Sequence, residues 1–187
     1  LVTKPQDWGI IIKISKKCRH TMANLKINIM QSNDIQGLDQ AFGHGDFGFS
    51  KPIETWHLYW TEQVAQKRTV AIAWQDDRVV GYGTLLTNSK YKAFAADGIP
   101  EINDLNVIAP MRRQGVATQL IVFLEKVAVD LGYSTVGIGV GLYADYGSAQ
   151  RRYVKLGYVP DGLGVAYDGQ PVAPGTMVRV DDDLNVF

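Results

Sequence analysis

A basic, glycine-bearing segment, Arg112–Ala117 (RRQGVA), stands between a strand-like run and a long helix-like run of the 187-residue sequence. The backbone N–H groups of such a turn and of the following first helical turn have no partner within the helix. The helix dipole adds roughly half a positive charge at that end, and Gly115 lets a bulky group approach the backbone. The pattern predicts an anion site of the kind that binds phosphate. The alternative is a solvated helix start with two ordinary surface arginines.

The elements on either side of this segment have clear periodicities. Glu101–Ile108 alternates as a strand does and ends ahead of Pro110. Apolar residues then recur at helical spacing from Val116 to Leu131, until Gly132 supplies a stop signal. The segment is therefore expected to connect a strand to an amphipathic helix.

Further strands and helices are predicted around this unit. Thr69–Trp74 and Arg78–Leu86 flank the polar turn QDD, which predicts an antiparallel hairpin. A strand-like run follows Met22, and a short helix is predicted at Asp34–Ala41. Later strands are predicted at Ser134–Val140, Leu163–Tyr167 and Thr176–Val180.

An aromatic stripe lies between the first helix and the hairpin. Trp56, Tyr59, Trp60 and Val64 recur at helical spacing after Pro52. Aromatic rings supply the largest buried areas available to a small domain, so core packing is the favoured interpretation. A ligand-facing role for some of these rings is the alternative.

Two other glycine-rich stretches are rejected as nucleotide sites. Gly43–Ser50 (GHGDFGFS) contains G-x-G-x-x-G, but a helical segment precedes it, and no Lys-Ser or Lys-Thr follows Gly48. A mobile loop is the favoured interpretation there. Gly137–Gly141 (GIGVG) falls within or at the end of a predicted strand, where glycine more often permits close approach of another backbone.

Composition argues against several classes of function. Lys plus Arg and Asp plus Glu both number 19, so overall charge gives no reason to expect nucleic acid or an anionic membrane as a partner. Three scattered histidines show no metal-ligand spacing, and no apolar run reaches the roughly 20 residues of a membrane-spanning helix. Cys18 is the only cysteine, which favours a cytoplasmic protein without disulfides.

The chain is predicted to hold one domain. Residues 1–21 carry five of the basic residues against one acid and are interpreted as a basic N-terminal leader, with disorder and an addition upstream of the native chain as the two options. The compact domain is expected to cover residues 22–187.

Two motifs in the predicted order resemble the GCN5-related N-acetyltransferase (GNAT) family. R-x-x-G-x-A after L-x-V-x-x-P is similar to the family's acetyl-coenzyme-A-binding motif, and Ala149–Gly162 (AQRRYVKLGYVPDG) is similar to its A-x-x-x-Y-x-x-x-G-(Phe/Tyr) segment. Tyr146 stands where the family usually has asparagine. The resemblance covers Met22 to Val180 and implies an α/β (α+β) fold. That fold is a single GNAT-like domain whose mixed, mostly antiparallel sheet has about six to seven strands flanked by helices, with the fourth and fifth strands splayed apart.

The resemblance also implies a function. The expected reaction moves an acetyl group from acetyl-coenzyme A directly to a primary amine of a small-molecule or peptide acceptor, without an acetyl-enzyme and without a metal. The alternative is a coenzyme-A-binding sensor or an interaction protein on the same fold. A homodimer is one option, because many family members form one.

Site residues follow from the same resemblance. Tyr153 is expected to act as the acid, and Glu101, with Asp104 as the alternative, as the base that takes the proton of an ammonium whose pKa is near about 10.4. Glu101 is preferred for its longer reach and its position. In a regular strand the two carboxylates point to opposite faces, so only one should reach the cleft. The residues expected to bind the cofactor are Leu105, Asn106, Val107, Arg112, Arg113, Gln114, Gly115, Val116 and Ala117.

Overall fold

The computed structural model describes residues 24–44 and 50–187, which fall into two compact units. The larger unit holds residues 24–44, 50–87 and 102–132, and the smaller holds residues 88–101 and 133–187. The predicted leader and Cys18 lie outside the described residues, as does most of the predicted glycine-rich loop. In chain order the elements are β1 (Leu25–Ile29), α1 (Ile35–Phe42), α2 (Ile53–Val64), β2 (Arg68–Gln75), β3 (Arg78–Leu86), α3 (Lys92–Asp97), β4 (Glu101–Val107), α4 (Val116–Asp130), β5 (Gly137–Ile138), β6 (Val140–Gly141), α5 (Gly147–Leu156), β7 (Val165–Tyr167), β8 (Gln170–Pro171) and β9 (Leu184–Val186).

The sheet of the larger unit runs in the order β1-β2-β3-β4. Both β1 with β2 and β2 with β3 pair antiparallel, with Ile72 opposite Tyr82 in the hairpin. The hairpin turn has φ 48° at Asp76 and 61° at Asp77, the two positive angles that a tight turn between twisted strands requires. The predicted hairpin and the mixed, mostly antiparallel α/β class are confirmed.

The core of the larger unit lies between this sheet and its helices. Trp56, Tyr82, Phe42, Leu38 and Ile72 have at most 1% of their surface exposed. Burying one such side chain contributes about 1.5–3 kcal/mol. The residues of the predicted aromatic stripe differ in burial. Trp56 is fully buried in this core, whereas Val64, at the end of α2, is 67% exposed.

The long helix α4 confirms the predicted apolar face. Its buried residues recur at helical spacing and are Val116, Thr118, Leu120, Ile121, Leu124 and Ala128. Gly132 follows the helix with φ 92°, a left-handed conformation that glycine adopts without steric cost. Leu131 was expected on the buried face, but it lies beyond the last helical residue and is 55% exposed.

The smaller unit departs further from the prediction. The predicted strand Ser134–Val140 is reduced to β5 and β6, two residues each. The amide of Gly137 donates to the carbonyl of Pro100 at 2.9 Å, which places β5 beside the first residue of β4. A second sheet runs in the order β6-β9-β7-β8.

One predicted strand of this unit is wrong. Thr176–Val180 has no strand structure, and β9 takes the place beside β7 instead. Met177 is 97% exposed and Val180 70% exposed, so the alternating apolar pattern there has no core to face. Alternation alone does not make a strand when neither face is covered.

The GIGVG glycines admit aromatic rings rather than a second backbone. A Cβ added at Gly137 would overlap the ring of Phe94, and one at Gly139 would lie 2.6 Å from Cε1 of Phe187. The predicted close approach therefore exists, with side chains as the neighbours. Phe94, Phe187 and Tyr91 form the aromatic core of the smaller unit.

Candidate active site

The predicted anion turn has a backbone that only glycine adopts easily. Gly115 is the residue immediately before α4 and has φ 96°, and Arg113 also has a positive φ of 63°. A Cβ added at Gly115 would meet no atom within 4 Å. The space over this residue is open, so a ligand can reach the backbone there.

The amides of the first turn of α4 are available to such a ligand. The amide of Gln119 donates to the carbonyl of Gly115 at 3.1 Å, as the first hydrogen bond of the helix. The amides of Val116, Ala117 and Thr118 precede it and have no acceptor within the helix. In the described part of the chain, Thr118 Oγ1 is also buried without a hydrogen-bond partner. Open space, amides and a 15-residue helix together fit the phosphate of a nucleotide-like cofactor.

Two side chains stabilise this turn, and one of them links it to the end of β4. Arg112 Nε donates to the carbonyl of Val107 at 3.1 Å, and Gln114 Nε2 donates to the carbonyl of Pro110 at 2.7 Å. Both residues were expected to bind the cofactor, and these bonds give them a structural part in the turn as well. Arg113 is exposed on the same turn.

Strand β4 lies close against two glycines of β3. A Cβ at Gly81 would lie 3.0 Å from the carbonyl oxygen of Asn106, and one at Gly83 would lie 2.8 Å from Cδ1 of Leu105. The predicted cofactor-binding stretch Leu105–Val107 is half-buried on this support. Asp104 has φ 51°, so β4 is not a regular strand, and the expectation of strict alternation between residues 101 and 104 does not hold.

Asp104 is the centre of a polar cluster in the larger unit. Its carboxylate accepts four hydrogen bonds: at Oδ2 from Lys51 Nζ (2.5 Å) and Tyr59 OH (2.7 Å), and at Oδ1 from Tyr82 OH (2.9 Å) and Asn106 Nδ2 (3.0 Å). The side chains of Lys51 and Asp104 are 14% and 18% exposed. The carboxylate is thus half-buried, paired with one cation and reachable from solvent.

Two tyrosines of this cluster stay protonated and donate hydrogen bonds to Asp104. Burial, followed by the charge of Asp104, raises the pKa of Tyr59 far above the ordinary value of 10. Burial and then Asp104 likewise raise the pKa of Tyr82 well above that value. Both phenols therefore stay protonated at neutral pH and hold the carboxylate in place.

The sequence did not identify most of this cluster. No sequence pattern marks Lys51, the helical spacing of Tyr59 indicates core packing, and Tyr82 belongs to the pattern of the hairpin. Asn106 is expected to bind the cofactor, and its side chain donates to Asp104 and to Tyr82 OH. Lys51 and Asp104 are separated by 53 positions, so no local motif signals the contact.

Glu101, the preferred base, belongs to the smaller unit and is 5% exposed. Ser89 Oγ donates to Glu101 Oε2 and accepts from the amide of Tyr91 at 2.9 Å. Glu101 is therefore not a solvated residue at the start of the strand. The side chain is buried and hydrogen-bonded near the start of β4.

Tyr153, the expected acid, lies on α5 in the smaller unit and is half-buried. Burial raises the pKa of Tyr153 to about 12. Its ring centroid is 6.0 Å from that of Tyr158, with the rings tilted at 52°. The phenol is therefore protonated at neutral pH, as a proton donor must be.

Tyr146, which replaces the asparagine usual in the resembling family, is also fixed within the smaller unit. Its OH donates to Asp182 Oδ1 at 2.9 Å, and its ring fills the space beside Gly141. The ring packs edge-on against Tyr143, with centroids 5.0 Å apart. The substitution has therefore acquired a packing role.

The geometry of the turn and of β4 agrees with the sequence comparisons. A model of the acetyltransferase (GNAT) family matches residues 38–158, more than half of the chain. The chain belongs to the GNAT acetyltransferase family. A search of the curated proteins found no match.

Solved GNAT-type structures share the fold at low sequence identity. An N-acetyltransferase from Staphylococcus aureus Mu50 is 16% identical, with 88% of this chain and 95% of that chain covered and a TM-score of 0.64. A ribosomal-protein-alanine N-acetyltransferase from Brucella melitensis biovar Abortus 2308 is 12% identical, covering 84% and 98%, with a TM-score of 0.54. AAC(6')-Iy, in complex with a bisubstrate analog of coenzyme A and acetylneamine, is 18% identical, covering 76% and 96%, with a TM-score of 0.56.

Within residues 24–44 and 50–187, no group of three or more His, Cys, Asp or Glu is placed to hold a metal ion. No helix in those same ranges combines the length and the apolar character needed to cross a membrane.

Proposed function

We propose that this GNAT protein is an N-acetyltransferase that moves an acetyl group from acetyl-coenzyme A directly to a primary amine, with no acetyl-enzyme. The observation that carries the proposal is the open turn at Gly115, with its left-handed backbone, followed by helix amides that have no acceptor within the helix. Acetyl-coenzyme A supplies the acetyl group as an activated thioester. A small molecule or a peptide remains the expected source of the amine, and a cytoplasmic location remains a prediction from the cysteine content.

The turn is suited to the pyrophosphate. The amides of Val116, Ala117 and Thr118, together with the dipole of α4, attract an anion without needing a strongly basic protein. Arg113 adds an exposed positive charge, Arg112 holds the turn against the end of β4, and Gln114 donates to the carbonyl of Pro110 within the turn. The backbone of Leu105–Val107 is the proposed partner of the pantetheine arm.

The proposed base is Asp104 rather than Glu101. A base must be reached by the acceptor, and the Asp104 side chain is 18% exposed and already holds an ammonium group, that of Lys51. Glu101 is 5% exposed and bonded to Ser89, which favours a structural role for it. Tyr153 keeps its proposed role as the acid for the leaving thiolate, supported by its protonated phenol.

A charge reversal at the turn tests the binding site. Gly115→Glu should abolish binding of acetyl-coenzyme A, because a carboxylate would stand where the phosphates are expected. Gly132→Glu is the matched control, since Gly132 also has a positive φ, 92°, and open space around it, at the opposite end of α4. Both variants carry the same backbone strain, about 1–2 kcal/mol.

Isothermal titration of the three proteins with acetyl-coenzyme A gives the answer. Binding by the parent and by Gly132→Glu, but not by folded Gly115→Glu, would support the cofactor site. Thiol release with a panel of amines then tests turnover. Binding without turnover would favour a coenzyme-A sensor, and no binding by the folded parent would refute both functions.

A further inference from the structure

The side chain of Lys51 lies in surroundings unusual for a lysine of a small domain. Its Nζ is 2.5 Å from Asp104 Oδ2 and donates at 3.4 Å to Tyr59 OH. The same Nζ lies 5.5 Å from the ring centroid of Trp56, 5.2 Å from that of Tyr59 and 5.5 Å from that of Tyr82. All three distances fall within the roughly 6 Å at which an ammonium is attracted to the face of an aromatic ring.

A carboxylate with three aromatic rings is the combination by which proteins recognise organic ammonium groups. The rings are set at nearly right angles, with Trp56 at 89° to both Tyr59 and Tyr82, so they form the walls of a pocket rather than a stack. The other acceptor positions of Asp104 are filled by Tyr59, Tyr82 and Asn106. The carboxylate is therefore oriented to bind one cation, at the position that Lys51 Nζ takes.

We propose that Asp104, Trp56, Tyr59 and Tyr82 form the ammonium pocket of the acetyl acceptor, and that Lys51 occupies this pocket when no acceptor is bound. The inference rests on the proposed function and deepens it. It identifies Lys51 as an internal competitor that an incoming amine displaces.

The exchange requires little rearrangement. The amide of Lys51 donates to the carbonyl of Phe42 at 3.1 Å, so the backbone is anchored and rotation of the side chain is sufficient. Charge is conserved in the pocket, because one ammonium leaves for water as another arrives. Asp104 is thus not left as a half-buried carboxylate without a counter-ion, which would be unfavourable.

The internal occupant indicates the class of acceptor. Lys51 carries its ammonium on an unbranched four-carbon chain, so a linear primary alkylammonium fits the same space. An amine directly beside a carboxylate, as in a free α-amino acid, would bring a second negative charge towards Asp104. The pocket therefore favours the side chain of a lysine or an alkyl diamine over an α-amino acid.

The exchange can be observed in the parent protein by NMR of lysine labelled with ¹³C at Cε. The three rings should shift the Lys51 signal away from those of exposed lysines, and its loss in Lys51→Met assigns it. Saturating n-butylammonium should return the signal to the exposed-lysine position, whereas n-butanol, which lacks the charge, should leave it unchanged. An unmoved Lys51 signal at saturation would overturn the proposal.

Affinity gives a second measurement. If the pocket is free of Lys51 for less than about a tenth of the time, only that fraction of the parent protein can bind n-butylammonium. Removal of the Lys51 side chain should then tighten the binding of n-butylammonium at least about tenfold. Calorimetry should find this gain in Lys51→Met and not in Lys26→Met, a control at an exposed lysine of the same unit. Equal affinity in parent and folded Lys51→Met would show that Lys51 is a fixed counter-ion of Asp104.

Two further ligands separate the sources of the ammonium. Nα-acetyllysine amide and 1,4-diaminobutane should both displace Lys51, and the tighter of the two identifies a peptide or a free diamine. These readouts do not involve acetyl-coenzyme A. A protein that binds acetyl-coenzyme A but keeps Lys51 in place would overturn this inference alone.

Discussion

Asp104→Asn is the substitution that tests the polar cluster most directly. Asparagine keeps one accepting oxygen and replaces the other with an N–H₂ group. Either Lys51 and Tyr59 or Tyr82 and Asn106 would then face a donor instead of an acceptor. The negative charge that pairs with Lys51 is lost in either orientation.

The magnitude follows from these contacts. Hydrogen bonds to a charged group contribute about 1.5–3 kcal/mol each, and two of them are lost. Water can replace part of the loss, because the Lys51 and Asp104 side chains are 14% and 18% exposed. We therefore expect the free energy of unfolding to fall by about 2–4 kcal/mol.

Asp130→Asn is the matched control. Asp130 pairs with Lys126 at 2.5 Å, the same distance as the Lys51–Asp104 pair, but the side chains of Lys126 and Asp130 are 71% and 60% exposed. An exposed pair of this type contributes about 0.3–0.5 kcal/mol. Urea denaturation of both variants should separate the two effects by several-fold.

Activity measured on the same variants tests the base. Asp104→Asn should retain acetyl-coenzyme A binding at the turn and lose about 10²–10⁴-fold in kcat. A loss of stability below about 1 kcal/mol would refute the description of the cluster as a tight network. Unchanged kcat in Asp104→Asn, together with lost turnover in a folded Glu101→Gln, would return the role of base to Glu101.

Three further predictions concern the smaller unit. Tyr153→Phe should keep the ring packing and acetyl-coenzyme A affinity but lower kcat by about 10²-fold, the lower end for a positioned acid, because a phenol with a pKa of about 12 is poorly matched to neutral pH; unchanged kcat in a thiol-release assay would contradict this role. Because the pKa of Tyr153 is raised in the folded protein, the phenol loses its proton at a lower pH in the unfolded chain than in the folded one. The contribution of this group to the free energy of unfolding is therefore fully present below pH 10. It is lost by about 1.4 kcal/mol per pH unit as the pH rises towards about 12. Between pH 10 and about 12, the free energy of unfolding measured by urea denaturation should therefore fall less steeply with pH in Tyr153→Phe than in the parent. An identical fall in both proteins would show that Tyr153 does not have this raised pKa. Gly137→Ala should cost about 1–3 kcal/mol by forcing a Cβ into the ring of Phe94, whereas Gly147→Ala, whose Cβ would meet only Arg151 at 3.7 Å, should be neutral or stabilising in a thermal melt.

Local features of this chain could be predicted from sequence. The hairpin of β2 and β3 combines alternating strands with a turn whose aspartates accept positive φ, and α4 shows its apolar face over four turns. The Gly115 turn was found because its glycine and its place between strand and helix are both local signals. Each of these rests on residues within one helix, turn or hairpin.

Non-local features could not be predicted in this way. The polar cluster around Asp104 brings Lys51 and Tyr59 to this carboxylate across 53 and 45 positions, and the backbone at Asp104 is irregular. The strand predicted at Thr176–Val180 does not form, because its alternating apolar residues have no core to pack against. Likewise, the aromatic neighbours of Gly137 and Gly139 are known only once the chain is folded.

The fluorescence of Trp56 should depend on the cation in the ammonium pocket. The indole is fully buried, its Nε1 has no hydrogen-bond partner in the described residues, and the Lys51 ammonium lies 5.5 Å from the ring centroid. An indole without a polar partner emits at short wavelength, and a nearby charge shifts that emission through its electric field. Loss of the cation from the ammonium pocket, as in Lys51→Met, should therefore change the fluorescence spectrum of the unlabelled protein.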